Sequence, residues 1–305
     1  MKLAVVGLGG IGGFLGALLA RRFASGRDGV EVIFIARGEH LAKIRQDGLQ
    51  YLSPTESFTV IPAAATDQPA ALGPLDVILF CVKTYQLEKS AALVRENVSP
   101  RTVVITLLNG VDNADRLKAI FPQAHVLNGG IYVSAERVAA GVVRRIGGAG
   151  RIFFGGEEGG QERYQPLVAL FQSAGILAEY RADIRWAIWE KYLFISPLAS
   201  ATTYLSKNFG EMQADPAAWQ LLDGLLLEVE AVARAQGIDL PDGVHQATLA
   251  RIPPFPPATR TSMELDHALG RPLEIETFTG YIVRSARELG IPVPLHERVY
   301  QKLVN

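Results

Sequence analysis

The chain is poor in cysteine, with Cys81 the only one among 305 residues. A single thiol excludes an intramolecular disulfide and a metal site built from several cysteines, and it fits a reducing cytoplasm. The five histidines are scattered, and no His/Glu pair has the spacing of a zinc-protease helix, so we expect no metal. Because Cys81 follows the apolar run "DVILF", we expect it to be a buried strand residue.

Excess charge is also missing, since 30 basic and 31 acidic residues give a formal net charge of −1. Basic residues come in pairs rather than long runs, so nothing suggests a nucleic-acid or membrane-surface partner. No apolar run approaches the roughly 20 residues that span a bilayer. Glycines interrupt the N-terminal "MKLAVVGLGG", where an export signal needs a continuous apolar core. We therefore expect a cytoplasmic protein with a small-molecule substrate, which could form a homodimer.

The length suggests two domains, and the first half alternates strands with helices. Apolar strands alternating with amphipathic helices predict a mostly parallel, Rossmann-like sheet in an α/β domain over residues 1–183. Within it, the glycine-rich segment 141–156 is predicted to form a hairpin by itself. From residue 184 to 305 the pattern is helical with few strands, which predicts an all-α C-terminal domain. We expect the boundary near Asp183, within about ten residues.

The first predicted strand runs into the turn Gly7-Leu8-Gly9-Gly10-Ile11-Gly12, which fits G-x-G-x-x-G. Gly7 permits a tight turn, Gly9 lets the backbone approach a pyrophosphate, and Gly12 lets the helix pack on the strand. The helix start offers free N–H groups to phosphates. Placed between a strand and a helix, this turn favours dinucleotide binding over a glycine-rich helix start without a ligand.

Basic and amide side chains follow three predicted strands. The second strand ends near Arg37, where an acidic residue would favour NAD, and a guanidinium there can pair with the 2′-phosphate of NADP. Glu39 is close but belongs to the next helix, and Arg37 could also be an ordinary solvated loop residue. Lys83 and Asn109 follow two later strands. Ligands bind at the carboxyl edge of such sheets, so we expect these residues to line one crevice.

Lys191 is unusual because its neighbours at i±3 and i±4 on a predicted helix are all apolar. The stem could be buried with the head in water, or the lysine could have a tuned pKa at a reacting centre. A positioned ammonium stabilises the oxyanion that forms when a ketone accepts hydride, and it can then give up a proton. Pro197 is expected to disturb the helix one to two turns beyond the lysine.

The ordered set "VGLGGIGG", "IARGEHLAKIRQDGL", "VKTYQL", "LLNGVDN", "IWEKYLF", "RTSMELD" and "GRPLEIETFTGY" resembles the ketopantoate reductase (2-dehydropantoate 2-reductase) family over nearly the whole chain. The resemblance implies a Rossmann-like domain, a helical C-terminal domain and NADPH in the cleft between them. It also implies reduction of a 2-oxo acid to a 2-hydroxy acid in pantothenate biosynthesis.

The resemblance implies a role for each matching residue. The turn Gly7–Gly12, Arg37 and Lys83 would contact NADP(H), and Asn109 would lie where cofactor and substrate meet. Lys191 and Glu274 would be catalytic, with Glu274 also near the cofactor, and Ser262 would bind substrate. Leu108 replaces the family's usual glutamine before Asn109.

The substrate positions depart from the family pattern. Ile195 and Ala199 stand where the family commonly has two asparagines, and Ser196 or Ser200, one residue further, would replace them only with a rotated helix or a shifted register. The favoured function is therefore NADPH-dependent reduction of a small branched 2-oxo acid, 2-dehydropantoate or a relative. A related dehydrogenase of another hydroxy acid or an opine stays open, as does a non-catalytic NADP-binding sensor. Lys191, Ser262 and Glu274 together speak against the sensor.

Overall fold

The computed structural model describes residues 1–156 and 160–304, and the chain divides into two compact units. The first unit comprises Met1–Leu108 with Asp112–Ile184, and the second comprises Asn109–Val111 with Arg185–Asn305. The short segment Asn109–Val111 therefore groups with the helical part of the chain, although it lies far earlier in the sequence.

The first unit is a mostly parallel, Rossmann-like sheet with helices, as the sequence predicted. The strands run in the order β4-β3-β9-β8-β7-β6-β1-β2-β5, with β10 paired to β9, and among the described strands only β3–β4 and β8–β9 are antiparallel pairs. The strands are β1 Lys2–Val6, β2 Glu31–Ile35, β3 Leu49–Leu52, β4 Ser57–Val60, β5 Ala64–Thr66, β6 Val77–Phe80, β7 Val103–Thr106, β8 His125–Ala139, β9 Val142–Gly155 and β10 Ala178–Tyr180. The α-helices are α1 Gly10–Arg22, α2 Gly38–Asp47, α3 Leu87–Leu93, α4 Asn113–Ile120 and α5 Gly160–Ser173.

The central strands are apolar on both faces because helices and loops cover the sheet on both sides. On β1, Leu3 and Val5 pack into one buried cluster, while Ala4 and Val6 pack into the other. Successive side chains of a strand point to opposite faces, so this alternation separates two cores. Cys81 is buried, as expected, but it lies directly after β6 and not within the strand.

One strand prediction was wrong. Residues 141–156 do not form a hairpin by themselves, because β9 is a single long strand that pairs along β8. The glycines that suggested a turn are absorbed within the strand, where Gly148 and Gly150 take positive φ angles of 80° and 67°. The hairpin is instead β8–β9, and its turn lies between Ala139 and Val142.

In the second unit, every regular element that the structure describes is a helix. They are α6 Ile184–Leu205, α7 Phe209–Ala214, α8 Pro216–Ala235, α9 Val244–Leu249, α10 Ser262–Ala268, a π-helical segment Glu276–Gly280, α11 Tyr281–Leu289 and α12 Pro294–Val304. Local signals bound several of them: Asn208 and Glu211 form a capping box at the start of α7, Asp215 caps the start of α8, and Gly290 in the left-handed region ends α11.

The expected disturbance at Pro197 is not seen, since α6 is helical from Ile184 to Leu205 with Pro197 inside it. Proline removes one helical hydrogen bond, but the residues around it pack into two apolar clusters of the unit. We attribute the continuous helix to this packing. None of the described helices has both the length and the apolar character needed to cross a membrane.

Candidate active site

The glycine-rich turn has the geometry that its spacing predicts. Gly7 has φ 89°, and a Cβ on Gly12 would lie 1.8 Å from the carbonyl oxygen of Gly7, so both positions require glycine. Gly9 is exposed, and a Cβ on it would meet nothing within 4 Å. No side chain caps α1, and no acidic residue lies in its first turn. The backbone N–H groups at the start of α1 therefore have no side-chain cap, and the turn is open at Gly9, as a pyrophosphate requires.

Arg37 lies just beyond the end of β2 and occupies the N-cap position of α2. Its side chain is exposed and has no hydrogen bond or ion pair with any described residue. The guanidinium is thus available to a phosphate, and the residues of this unit fit the phosphates of a dinucleotide. Lys83 follows β6, at the start of a short 3₁₀ turn, and is half-buried.

In the second unit, Lys191 and Asn109 are in direct contact. Lys191 Nζ donates a hydrogen bond to Asn109 Oδ1 at 3.0 Å. Only 7 % of Lys191 is exposed, so its head does not extend into bulk water as the snorkelling alternative requires. The lysine on α6 is therefore held by the amide that follows β7, 82 residues away.

Two opposing effects set the proton affinity of Lys191. Burial lowers its pKa to about 8, and the negative charge of Glu274 offsets part of that effect. Glu274 is itself 5 % exposed and lies just before the π-helical segment. Lys191 and Glu274, both buried, and the half-buried Asn109 thus form an acid–amide–carboxylate group, which we call the lysine cluster.

The π-helical segment after Glu274 is fastened to α6 by side chains that the sequence did not single out. The Tyr192 hydroxyl lies 2.8 Å from the carbonyl oxygens of both Thr277 and Phe278, so its one proton can serve either. Ser196 Oγ donates to the Phe278 carbonyl at 2.9 Å. A π-helical turn shifts the backbone pairing by one residue, and these hydroxyls contact two carbonyls within it. Tyr192 therefore links the helix of Lys191 to the segment that begins beside Glu274.

The structure gives the serines different surroundings. Ser196 is fully buried with its hydroxyl on Phe278, and the Ser200 hydroxyl meets that of Thr279 at 2.8 Å. A substrate role for Ser196 would require its present bond to open, so that role stays a prediction. Ser262 begins α10, is exposed, and forms no hydrogen bond with a described residue.

Sequence reasoning thus named the members of the lysine cluster but missed the tyrosine that supports it. Tyr192 directly follows Lys191 in the sequence and was not singled out. Its adjacency to the lysine was the available signal, but the carbonyl oxygens that it contacts belong to a π-helical turn that no sequence pattern announced. Among the described residues, no group of three or more His, Cys, Asp or Glu side chains could hold a metal ion.

Comparison with known proteins gives the family. The protein-family model described as "Ketopantoate reductase PanE/ApbA" matches residues 3–159 of this chain. A second family model, "Ketopantoate reductase PanE/ApbA C terminal", matches residues 183–304. The chain belongs to the ketopantoate reductase family. It is therefore an oxidoreductase of a nicotinamide-dependent family acting on small molecules, which argues against the non-catalytic sensor.

Individual relatives agree with the family match. A 2-dehydropantoate 2-reductase of Nostoc sp. is 29 % identical, over 99 % of this chain and 94 % of that protein. The crystal structure of 2-dehydropantoate 2-reductase from Porphyromonas gingivalis is 35 % identical with a TM-score of 0.86, covering 100 % of this chain and 99 % of the other. D-mandelate dehydrogenase, solved as a ternary structure with NADH and anilino(oxo)acetate, has a TM-score of 0.88 over 99 % of this chain and 96 % of that one. At 23 % identity, that likeness concerns the fold alone.

Proposed function

We propose that this chain uses NADPH to reduce a small branched 2-oxo acid, 2-dehydropantoate or a close relative, to the 2-hydroxy acid. The observation that carries the proposal is the lysine cluster, in which a nearly buried ammonium is bonded to Asn109 and influenced by Glu274. Such a group suits a reaction in which negative charge develops on a ketone oxygen and a proton must follow.

NADPH, when bound, supplies the hydride. The glycine turn Gly7–Gly12 would hold its pyrophosphate, Arg37 its 2′-phosphate, and Lys83, Asn109 and Glu274 are further proposed contacts. Support for this assignment comes from the open surface at Gly9 and the exposed Arg37 guanidinium, which lacks a partner among the described side chains.

Lys191 is the proposed general acid. Its ammonium stabilises the developing oxyanion and then transfers a proton to it, leaving the neutral amine. A pKa near 8 favours this role, since the lysine is mostly protonated at neutral pH and yet releases its proton more readily than an ordinary lysine. Asn109 orients the ammonium, because an ammonium has only donors and the amide oxygen must face it. Glu274 keeps the lysine charged and is the second proposed catalytic residue.

Ser262 is proposed to bind the substrate carboxylate or hydroxyl, and its exposed hydroxyl is free among the described residues. Ile195 and Ala199 offer no hydrogen-bonding groups, which favours a second candidate: a related dehydrogenase for a more apolar 2-oxo acid or an opine. A homodimer and a cytoplasmic location also stay predictions.

The test is oxidation of NADPH and of NADH with a panel of 2-oxo acids: 2-dehydropantoate, other branched acids, linear acids and an aromatic acid, each with and without an amine. We expect 2-dehydropantoate or another branched acid to have the highest kcat/KM, with NADPH as donor. A preference for the aromatic acid, or a requirement for the amine, would favour the second candidate. Cofactor binding without oxidation by any of these acids would refute the proposed reaction class.

A further inference from the structure

The outer half of the β8–β9 hairpin lies against the glycine-rich turn. A Cβ on Gly10, the first residue of α1, would lie 2.0 Å from the carbonyl oxygen of Ala135 on β8. At the end of the hairpin, the Gly141 backbone N–H donates to His40 Nδ1 at 2.8 Å. His40 is buried in the first turn of α2, three residues after Arg37. The hairpin therefore runs from the start of α1 to the start of α2.

Strand pairing decides which way Arg137 points. Arg137 is paired with Val143 across the hairpin, in the regular stretch that also pairs Glu136 with Arg144. Directly paired residues of antiparallel strands share a face of the sheet. The Val143 side chain packs against Gly13 of α1, so Arg137 projects from the face that covers α1. Glu136 and Arg144 lie on the opposite face and are bonded to each other.

Arg137 is exposed and has no ion pair or hydrogen bond with a described residue, and Arg37 shares both properties. The charge of Arg137 reaches the first turn of α2, because the pKa of His40 is lowered first by burial and second by the Arg137 guanidinium. Glu39, the acidic residue in that turn, pairs with neither arginine among the described contacts. Two uncompensated guanidinium groups thus lie near the start of α2.

We propose that Arg137 is a second arginine for the adenosine 2′-phosphate, acting with Arg37 to select NADPH over NADH. The inference rests on the proposed NADPH-dependent function. A phosphate monoester carries a charge of about −1.5 to −2 at neutral pH, more than one guanidinium neutralises. A planar guanidinium binds two phosphate oxygens at once, so two arginines provide donors for the whole group.

The test is equilibrium binding, which needs no substrate. The dissociation constants of NADPH, NADH, 2′,5′-ADP and 5′-AMP are measured for the wild type, Arg137→Ala, Arg137→Gln and Arg144→Ala. Arg137→Gln removes the charge while keeping a polar side chain, and Arg144→Ala is the control on the opposite face of the same hairpin. We expect both Arg137 variants to raise the dissociation constants of NADPH and 2′,5′-ADP by roughly tenfold or more. The dissociation constants of NADH and 5′-AMP should change by less than about twofold. Arg144→Ala should change all four by less than about twofold.

The outcomes separate the inference from the function on which it rests. Equal weakening of NADPH and NADH by the Arg137 variants would place the guanidinium on the pyrophosphate and overturn the assignment. Unchanged binding of all four ligands would remove Arg137 from the site, while the wild-type preference for NADPH would still support the proposed cofactor. If the wild type binds 2′,5′-ADP no better than 5′-AMP, the NADPH assignment and the role of Arg137 both fail. Absence of 2-oxo-acid reduction would refute only the reaction, because binding is measured without it.

Discussion

The ammonium of Lys191 donates a hydrogen bond to the amide oxygen of Asn109, with 3.0 Å between Nζ and Oδ1. One partner lies on a long helix and the other on the loop after a strand, and both belong to the same compact unit. Because the lysine is nearly buried, this bond fixes where its proton is presented.

The first prediction concerns Lys191 as a general acid. Lys191→Ala should lower kcat by roughly 10²–10⁴, because the proton donor and the oxyanion-stabilising charge are both removed. Lys191→Arg should not restore activity, since a guanidinium keeps the charge but does not release its proton. Steady-state kinetics with the 2-oxo acid identified by the substrate panel provide the measurement. Lys207→Ala, which removes an ion-paired lysine just beyond α6, is the matched control. Near-normal turnover in both Lys191 variants would contradict the assignment.

The second prediction is a pH profile with a defined sign. Reduction requires the protonated amine, so kcat/KM should fall as pH rises through the lysine pKa of about 8. Oxidation of the 2-hydroxy acid requires the neutral amine and should rise through the same pH range. Glu274→Gln removes a negative charge that favours the ammonium, so the descending limb should move to lower pH. The descending limb is measured for the wild type and for Glu274→Gln at constant ionic strength. An unmoved limb would show that Glu274 does not act on the lysine.

The third prediction concerns Arg37. Arg37→Ala should weaken the binding free energy of NADPH by on the order of 1.5–3 kcal/mol, because a charge-assisted phosphate contact is lost. The binding of NADH should change little. Arg45→Ala is the control on the same helix, since Arg45 is engaged by the Ala65 carbonyl and Asp67. Titration of each protein with both cofactors measures the effect. Equal wild-type affinities for the two cofactors would contradict the prediction.

How far the sequence predicts this molecule depends on how local each signal is. The turn Gly7–Gly12 and the strand and helix around it were predictable because tight turns and close helix packing demand glycine at fixed spacing. The hairpin over 141–156 was mispredicted because glycines resemble turn signals, whereas pairing with β8 decides that the chain continues. Pro197 misled for a related reason, since tertiary packing on α6 overrides its local preference.

The candidate site shows the same division. Lys191, Asn109 and Glu274 could be named through the resemblance to a family, residue by residue. Nothing local showed that Asn109 would meet Lys191, or that the backbone after Glu274 would be π-helical, since both depend on contacts between distant parts of the chain. Arg137 escaped notice because its role depends on which face of a mispredicted hairpin it occupies.

The last prediction makes Tyr192 a positioning residue. Its hydroxyl supports the carbonyls of Thr277 and Phe278, in the segment that follows Glu274. In Tyr192→Phe, Ser196 still serves Phe278, but Thr277 loses the tyrosine donor, at a cost of about 1–3 kcal/mol in the free energy of unfolding.

A loosened segment would weaken the influence of Glu274 on Lys191. We therefore expect the descending limb of the kcat/KM profile to move to lower pH in Tyr192→Phe, together with a lower kcat. Tyr281→Phe is the matched control, because it removes a tyrosine hydroxyl of the same unit that is bonded to the Gln236 side chain. That variant should lose some stability without moving the limb. If Tyr192→Phe is less stable but its limb coincides with that of the wild type, the tyrosine only holds the fold and does not position the carboxylate.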